Sequence, residues 1–268
     1  MNIFHQGQVF LLRWIPGSIL RENATMSDEL EAAETAEQAL GRLCAGNVLD
    51  VATGRGGFIS FLLENLADYK KITGIDTSVS SLVAARQAHP QENIHFQLMD
   101  ATCLDFPDGH FDTVCIADSL HHVEDPDAVL SEVVRVCKAG GNIIVCEAFQ
   151  DRQTETQLTN VYFHHWKAAV DTAEGICHRE TFTRQQVEGF IHGMGLHNLK
   201  VYELADLESD PKEPKLIKGL EDIIDRYLQR IEGLEQGAEL RERGVELRQR
   251  VREVGFHGAT CLLAIGKK

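Results

Sequence analysis

From residue 48 onward the chain alternates two hydrophobic rhythms. Short apolar runs of strand length are followed by stretches in which apolar residues recur every three or four positions. Val48 to Val51 predicts a buried strand, and Phe58–Leu66 repeats apolar residues at helical spacing. Gly54, Gly56 and Gly57 separate the two. Lys71–Asp76 predicts a second strand, after which Ser78 caps a helix over Val79–His89 that Pro90 stops. Ile94–Asp100 predicts a third strand. A turn through Pro107-Asp108-Gly109 leads to a fourth over Phe111–Asp118. Asp125-Pro126 is an N-cap with proline at the first helical position; the helix is expected to run to Lys138, where Gly140-Gly141 end it. Asn142–Ala148 predicts a fifth strand.

Beyond residue 150 the alternation changes. Thr156–Glu174 predicts a helix carrying Tyr162, Phe163, His164, His165 and Trp166, and Phe182–Leu196 another with Thr183 as cap. Leu199–Leu204 and Ala259–Gly266 predict the last two strands. Residues 206–255 between them far exceed an ordinary connection. Leu216, Leu220, Ile223, Ile224, Tyr227, Leu228, Ile231 and Leu234 form one helical stripe, and Leu240, Leu247 and Val251 a second, with a break at Glu235-Gln236-Gly237. A charged helical hairpin results, entered through Pro-Lys-Glu-Pro at 211–214. Its mixed charges read as a solvated face or as a surface for a partner, including a second copy of the chain. At the other end, Thr25 with Asp28 resembles a capping box, and Leu30, Ala33, Leu40 and Leu43 form a stripe. That segment reads as core cover or as a lid over a ligand. The organisation expected is a helical cover over 1–45, a core over 46–205 plus 256–268 with a lid-like 151–181, and a helical insertion over 206–255.

Strands alternating with helices at this spacing mean an α/β fold, a parallel sheet with helices on both faces. Ligands bind such sheets outside the carboxyl ends of the strands. Asp50, Asp76, Asp100 and Asp118 all fall there. One acid at a strand end is ordinary, since aspartate favours turns; four at successive strand ends beside a glycine turn point to a ligand carrying positive charge. Asp50 would repel a pyrophosphate.

Composition narrows the field. Hydrophobic residues make up 43% of the 268-residue chain, enough for one sizeable core. A net charge of −15 argues against a nucleic-acid backbone as the main partner. The seven cysteines include no C-x-x-C pair, and Cys115, Cys146 and Cys261 lie in apolar runs, so reduced thiols and a cytoplasmic setting are expected. Val9–Leu12 is cut short by Arg13 and Pro16, too short for a membrane span and wrong for a signal peptide.

The segment Asp50-Val51-Ala52-Thr53-Gly54-Arg55-Gly56 resembles the first motif of the class I S-adenosylmethionine-dependent methyltransferases, nearest the branch acting on small molecules and quinones. The resemblance spans about residues 45–205 plus the last strand. It departs at Ala52, where many members have glycine; an Ala-Thr-Gly version also occurs in the quinone-methylating branch. It implies a Rossmann-like seven-stranded sheet of order 3-2-1-4-5-7-6 with the last strand antiparallel. It implies S-adenosylmethionine as cofactor and S-adenosylhomocysteine as product. Gly54 and Gly56, with Ala52, would let the backbone approach the methionine part, and Asp50 would help hold its ammonium group. Asp76, with Thr77 after it, matches the acid that takes both ribose hydroxyls. Asp100 and the Ala101 N–H match the adenine edge, and Asp118 sits near the amino group and the acceptor. Arg55 turns outward or meets the methionine carboxylate. A nicotinamide dehydrogenase is the rival on fold, but G-x-G-x-x-G fails at Ile59.

After Asp118 comes Ser119-Leu120-His121-His122-Val123-Glu124-Asp125-Pro126, similar to the His-His-x-x-Asp-Pro segment of many small-molecule methyltransferases. His121 or His122 would border the acceptor, as a base for a hydroxyl or as a packed structural residue. His164, His165 and Tyr162 read as substrate lining or packing. No H-x-x-x-H or cysteine arrangement favours zinc, so no metal is expected. The expected function is transfer of a methyl group to a small organic acceptor at O, N or C. Two other readings stay open: a catalytically inactive cofactor-binding protein working through its hairpin, and a methyltransferase acting on protein or RNA. The absence of a D/N-P-P-Y motif and the acidic charge weigh against RNA.

Overall fold

The computed structural model describes residues 34–268. The expected capping box at Thr25–Asp28 and most of the 1–45 cover therefore lie outside the described residues. A short helix, α1 (Ala36–Gly41), opens the described part, closed by a capping box between Thr35 and Gln38. Then follow β1 (Asn47–Val51), α2 (Gly57–Asn65), β2 (Lys71–Asp76), α3 (Val79–Ala88), β3 (Ile94–Leu98) and β4 (Phe111–Ala117). After a single 3₁₀ turn over Leu120–His122 come α4 (Pro126–Val136), β5 (Cys137–Ala148), α5 (Glu155–Ala173), α6 (Arg184–Gly193) and β6 (His197–Leu204). The chain ends with α7 (Pro214–Arg230), α8 (Gly237–Glu253) and β7 (Cys261–Lys267).

The seven strands form one sheet of order β3-β2-β1-β4-β5-β7-β6, in agreement with the order the resemblance implies. β1 through β5 are parallel, and β7 enters antiparallel between β5 and β6. The central strands are buried on both sides, as their continuous apolar runs require. One face packs against α1, α2 and α3, around Leu40, Ile59, Leu62, Ile72 and Leu82. The other packs against α4 and α6, around Leu49, Val114, Val133, Ile143 and Ile191.

One boundary differs from its sequence signal. α4 stops at Val136, and Gly140 and Gly141 lie inside β5 where its register against β4 shifts. A Cβ at Gly141 would stand 2.8 Å from Cys137 Sγ and 2.9 Å from the Asp112 carbonyl oxygen. Gly141 thus serves a close approach, and Gly140 supplies the left-handed backbone of the irregularity at φ 73°, rather than a helix cap.

A third cluster lies away from the sheet. α5, α7 and α8 bury Trp166, Val170, Leu220, Ile224, Tyr227, Leu247 and Val251 among themselves. Trp166 Nε1–H donates to the Leu240 carbonyl at 2.7 Å, and Gly244 lies so close that a Cβ there would stand 2.6 Å from the Trp166 ring. The apolar stripe of the hairpin is thus covered from within the chain, leaving its charged side outward. Among the described residues no helix is long and apolar enough to cross a membrane.

Candidate active site

Two cavities meet above the carboxyl ends of β1, β2 and β4. The first is lined by Ala52, Arg55, Asp76, Thr77, Asp100 and Ala101, among others, with about 1090 Å³ of empty space including its mouth. Its geometry begins at the turn after β1. Ala52 takes a left-handed backbone with φ 54°, a conformation that costs a β-carbon residue on the order of 1 kcal/mol, and Gly54 and Gly56 follow with φ 56° and 84°. Gly56 has a second constraint: a Cβ there would stand 2.6 Å from the His89 ring, whose Nε2 meets the Gly56 carbonyl at 2.8 Å. α2 then starts with its first N–H groups facing the cavity end of the sheet.

Asp76 ties this turn to β2. Its Oδ2 accepts from the Gly54 N–H at 2.9 Å and its Oδ1 from the Ser78 N–H at 2.7 Å, so the carboxylate is fixed at the cavity wall. Asp100 closes a tight turn by accepting from the Thr102 N–H and hydroxyl, both at 2.8 Å on Oδ1; the Thr102 N–H bond holds its pKa below the ordinary carboxylate value. Asp50 stands behind the turn. It is 1% exposed and accepts from Thr53 Oγ1 at 2.5 Å; burial pushes its pKa up to about 7. The structure therefore gathers Ala52, Asp76, Thr77, Asp100 and Ala101 around the cavity, with Arg55 at its side, while Asp50 supports the loop from within the core.

The second cavity is lined by Asp118, His121, His122, Asn160, Phe163, His164, Lys167, His178, Leu220, Ile223, Phe256 and Cys261, among others, with about 810 Å³ of empty space including its mouth. Asp118 has φ 43° and accepts from the Ala148 N–H at 3.0 Å. Burial first, and then the charge of Glu147, push its pKa up to about 7. Glu147, at the end of β5, is 1% exposed. It accepts from the Ser119 and Leu120 N–H groups at 3.1 and 3.3 Å and from His121 Nδ1–H at 2.5 Å.

A second histidine–acid pair faces it. His178 Nδ1–H donates to Asp171 Oδ2 at 2.6 Å, and Asp171 also accepts from Arg230 Nη2 at 2.5 Å. Burial pulls the Asp171 pKa up, but the His178 hydrogen bond and the Arg230 charge outweigh it and hold the carboxyl below its ordinary value. The segment after α5 is pinned to the histidine turn: the Arg179 N–H donates to the His121 carbonyl at 2.9 Å and its guanidinium to the Glu124 carbonyl at 2.7 Å. His178 Nε2 and His164 Nε2 lie 3.0 Å apart. Burial, and then the charges of its neighbouring histidines, hold His164 well below the ordinary histidine value. Lys167, under burial opposed by Asp171, falls to about 8. His122, Lys167 and His178 line both cavities.

Sequence reasoning had reached His121, His122 and His164. The sequence points to segments 151–181 and 206–255 as pocket walls without singling out Lys167, Asp171, His178, Leu220 or Ile223 there, and it does not point to Glu147. Glu147 was legible as one more acid ending a strand; His178 carried no local signal. His165 and Trp166, read beside His164, point elsewhere: His165 Nε2 meets Thr181 Oγ1 at 3.0 Å, and Trp166 is 1% exposed in the α5–α8 contact.

Comparison with known proteins adds to this geometry. Residues 49–145 match the family model described as a methyltransferase domain. With the strand order, this agrees with the resemblance of the core to the class I S-adenosylmethionine-dependent methyltransferases. The ubiquinone/menaquinone biosynthesis C-methyltransferase UbiE of Desulfotalea psychrophila is 38% identical over 100 residues, 37% of this chain and 40% of that protein. The phosphatidylethanolamine N-methyltransferase of Cereibacter sphaeroides is 35% identical over 108 residues, 39% of this chain and 51% of that one. The chain thus aligns with only about half, or less, of the length of these curated relatives. Among solved structures, phosphoethanolamine N-methyltransferase 2 of Haemonchus contortus in complex with S-adenosyl-L-methionine shares the fold, with TM-score 0.51 and 17% identity over 86% of this chain and 50% of that one.

Proposed function

We propose that the chain transfers a methyl group from S-adenosylmethionine to a small organic acceptor with an apolar body, in a cytoplasmic setting. The observation that carries this reading is the pair of cavities sharing a wall of His122, Lys167 and His178. The first cavity presents Asp76 and Asp100 on its β2 and β3 side, beside Arg55, Lys167 and Arg230, an arrangement that suits an adenosine-bearing molecule with both an ammonium and a carboxylate. Asp76 would take the ribose hydroxyls with the lone pairs its backbone bonds leave over, Asp100 and the Ala101 N–H the adenine edge, and Gly54 and Gly56 the methionine part. Asp50 would favour the ammonium end from behind the turn, through Thr53 or water. When bound, S-adenosylmethionine supplies a methyl group already activated on a sulfonium, so alignment supplies much of the acceleration.

The protein's remaining task is to hold the acceptor. Phe163, Leu220, Ile223 and Phe256 offer apolar walls, while Asp118, His121, His122, His164 and Lys167 gather polar groups in the same cavity. His122 borders both cavities and would stand beside the acceptor where the methyl group is transferred. The matched stretch 49–145 includes most of the cofactor side and stops before α5, the His178 segment and α7. The named relatives, one a C- and one an N-methyltransferase, therefore bear on the cofactor more than on the acceptor.

Calorimetric titration with S-adenosylmethionine and S-adenosylhomocysteine tests the reading. Both should bind the wild type with one site, and Asp76→Ala should weaken both by about 100-fold, the loss of two charge-assisted hydrogen bonds. A wild type that binds neither overturns it.

A further inference from the structure

Four histidines converge in the acceptor cavity although the sequence holds no metal-ligand spacing. His121, His122, His164 and His178 each place a ring nitrogen so that all four lie within 4.8 Å of one another. They come from three separate segments, the turn after β4, α5 and the loop that follows it. We propose that these four imidazoles bind one divalent first-row transition-metal ion of the zinc type, facing the acceptor cavity.

Three observations support this beyond proximity. First, two of the four are oriented as metal-ligating histidines are. His121 and His178 each donate Nδ1–H to a buried carboxylate, Glu147 at 2.5 Å and Asp171 at 2.6 Å, which in the neutral ring leaves Nε2 as a lone pair. Second, His121 is 2% exposed and its Nε2 is buried with no hydrogen-bond partner. A buried ring nitrogen without a partner costs about 1–3 kcal/mol, which a metal bond would repay. Third, the distances are close to those of a coordination shell. Bonds of roughly 2.05 Å in a tetrahedron put neighbouring nitrogens roughly 3.3 Å apart. His164 and His178 already stand at 3.0 Å, and modest side-chain rotation would bring in the other two.

Imidazole donors suit zinc, copper, iron and nickel rather than magnesium or calcium, which prefer oxygen. Glu147 and Asp171 stand just outside the shell as carboxylate partners of His121 and His178, and Asp171 is also paired with Arg230. All four histidines line the acceptor cavity, so an oxygen or nitrogen donor of the acceptor would enter as a fifth ligand. The ion-binding claim stands apart from the methyl-transfer reading; the acceptor role rests on it.

Zinc and cobalt(II) chloride are the probes. Protein stripped with chelator and dialysed should bind one equivalent of either, and the cobalt form should show ligand-field bands of a nitrogen-rich site. His164→Ala and His164→Asn should each weaken binding by at least 100-fold with the far-ultraviolet circular dichroism unchanged, and Glu147→Gln by about 10–100-fold through loss of orientation. His165→Ala, outside the cluster, should leave affinity within about twofold. Absence of stoichiometric binding, or binding that both His164 variants retain, overturns the proposal. The two claims separate cleanly: Asp76→Ala should lose S-adenosylmethionine and keep zinc, while His164→Asn should lose zinc and keep S-adenosylmethionine.

Discussion

The two halves of the site are made in opposite ways. The proposed cofactor side is centred on neighbours in sequence, β1, the Ala52–Gly56 turn and the end of β2, with Gly54 and Asp76 joined by one hydrogen bond across 22 positions, and only its far wall, with Lys167, Asp171 and Arg230, comes from later in the chain. The acceptor side is assembled from the turn after β4, the end of β5, α5, the segment at 178, α7 and the approach to β7. A local site is specified by turn chemistry, because the glycine conformations and the strand end leave one arrangement. A non-local site is specified by packing, because its side chains meet only when α5 is held by α7 and α8. The first is matched by the family model, whereas the second lies mostly beyond residue 145.

Trp166 offers the hardest test of that contrast. It is buried in the α5–α8 contact and bonded to the Leu240 carbonyl, so Trp166→Ala should destabilise the protein by about 3–5 kcal/mol. Denaturant melts should show the loss, while the folded fraction keeps its S-adenosylhomocysteine affinity within a few-fold. An equal loss of cofactor affinity in the folded protein would erase the distinction between the halves.

Asp50 sharpens the cofactor side through pH. Its folded-state pKa of about 7 lies above the ordinary 3.8, so the folded protein binds the extra proton. Its contribution is fully present below about pH 4 and is lost as pH rises through 7, at about 1.4 kcal/mol per pH unit between. Asp50→Asn keeps an acceptor for Thr53 and removes that slope. Between pH 5 and 6.5 the stability difference, variant minus wild type, should grow by about 2 kcal/mol, read from thermal or urea unfolding. A difference that stays flat would mean that Asp50 is ionised in the folded core.

Ala52 carries the smallest effect. Ala52→Gly relieves the left-handed strain at φ 54° but frees the unfolded chain, so a net gain below about 1 kcal/mol is expected. A loss beyond that range would show that the alanine methyl packs for stability.

What could be read from the chain follows the same division. The strand order, the glycine turn and the acids at Asp76 and Asp100 were legible because each sits in a short stretch with its own turn or strand signal. Gly140-Gly141 misled, since a glycine pair after a helical stripe gives the same local signal whether it caps a helix or lets two strands approach. The histidine cluster was invisible because spacing rules for metal ligands describe neighbours on one helix or loop, while His121 and His178 meet through Arg179 holding two distant segments together. Leu220 and Ile223 read correctly as an apolar stripe, yet a stripe does not say which cavity it will wall.

Titrating S-adenosylhomocysteine into Asp76→Ala and Leu220→Ala side by side tests the division most directly. The account predicts that Asp76→Ala loses about 100-fold in affinity while Leu220→Ala, altered only on the acceptor side, binds within about twofold of wild type. Full affinity in Asp76→Ala, or parallel loss in both with each protein folded, would contradict it.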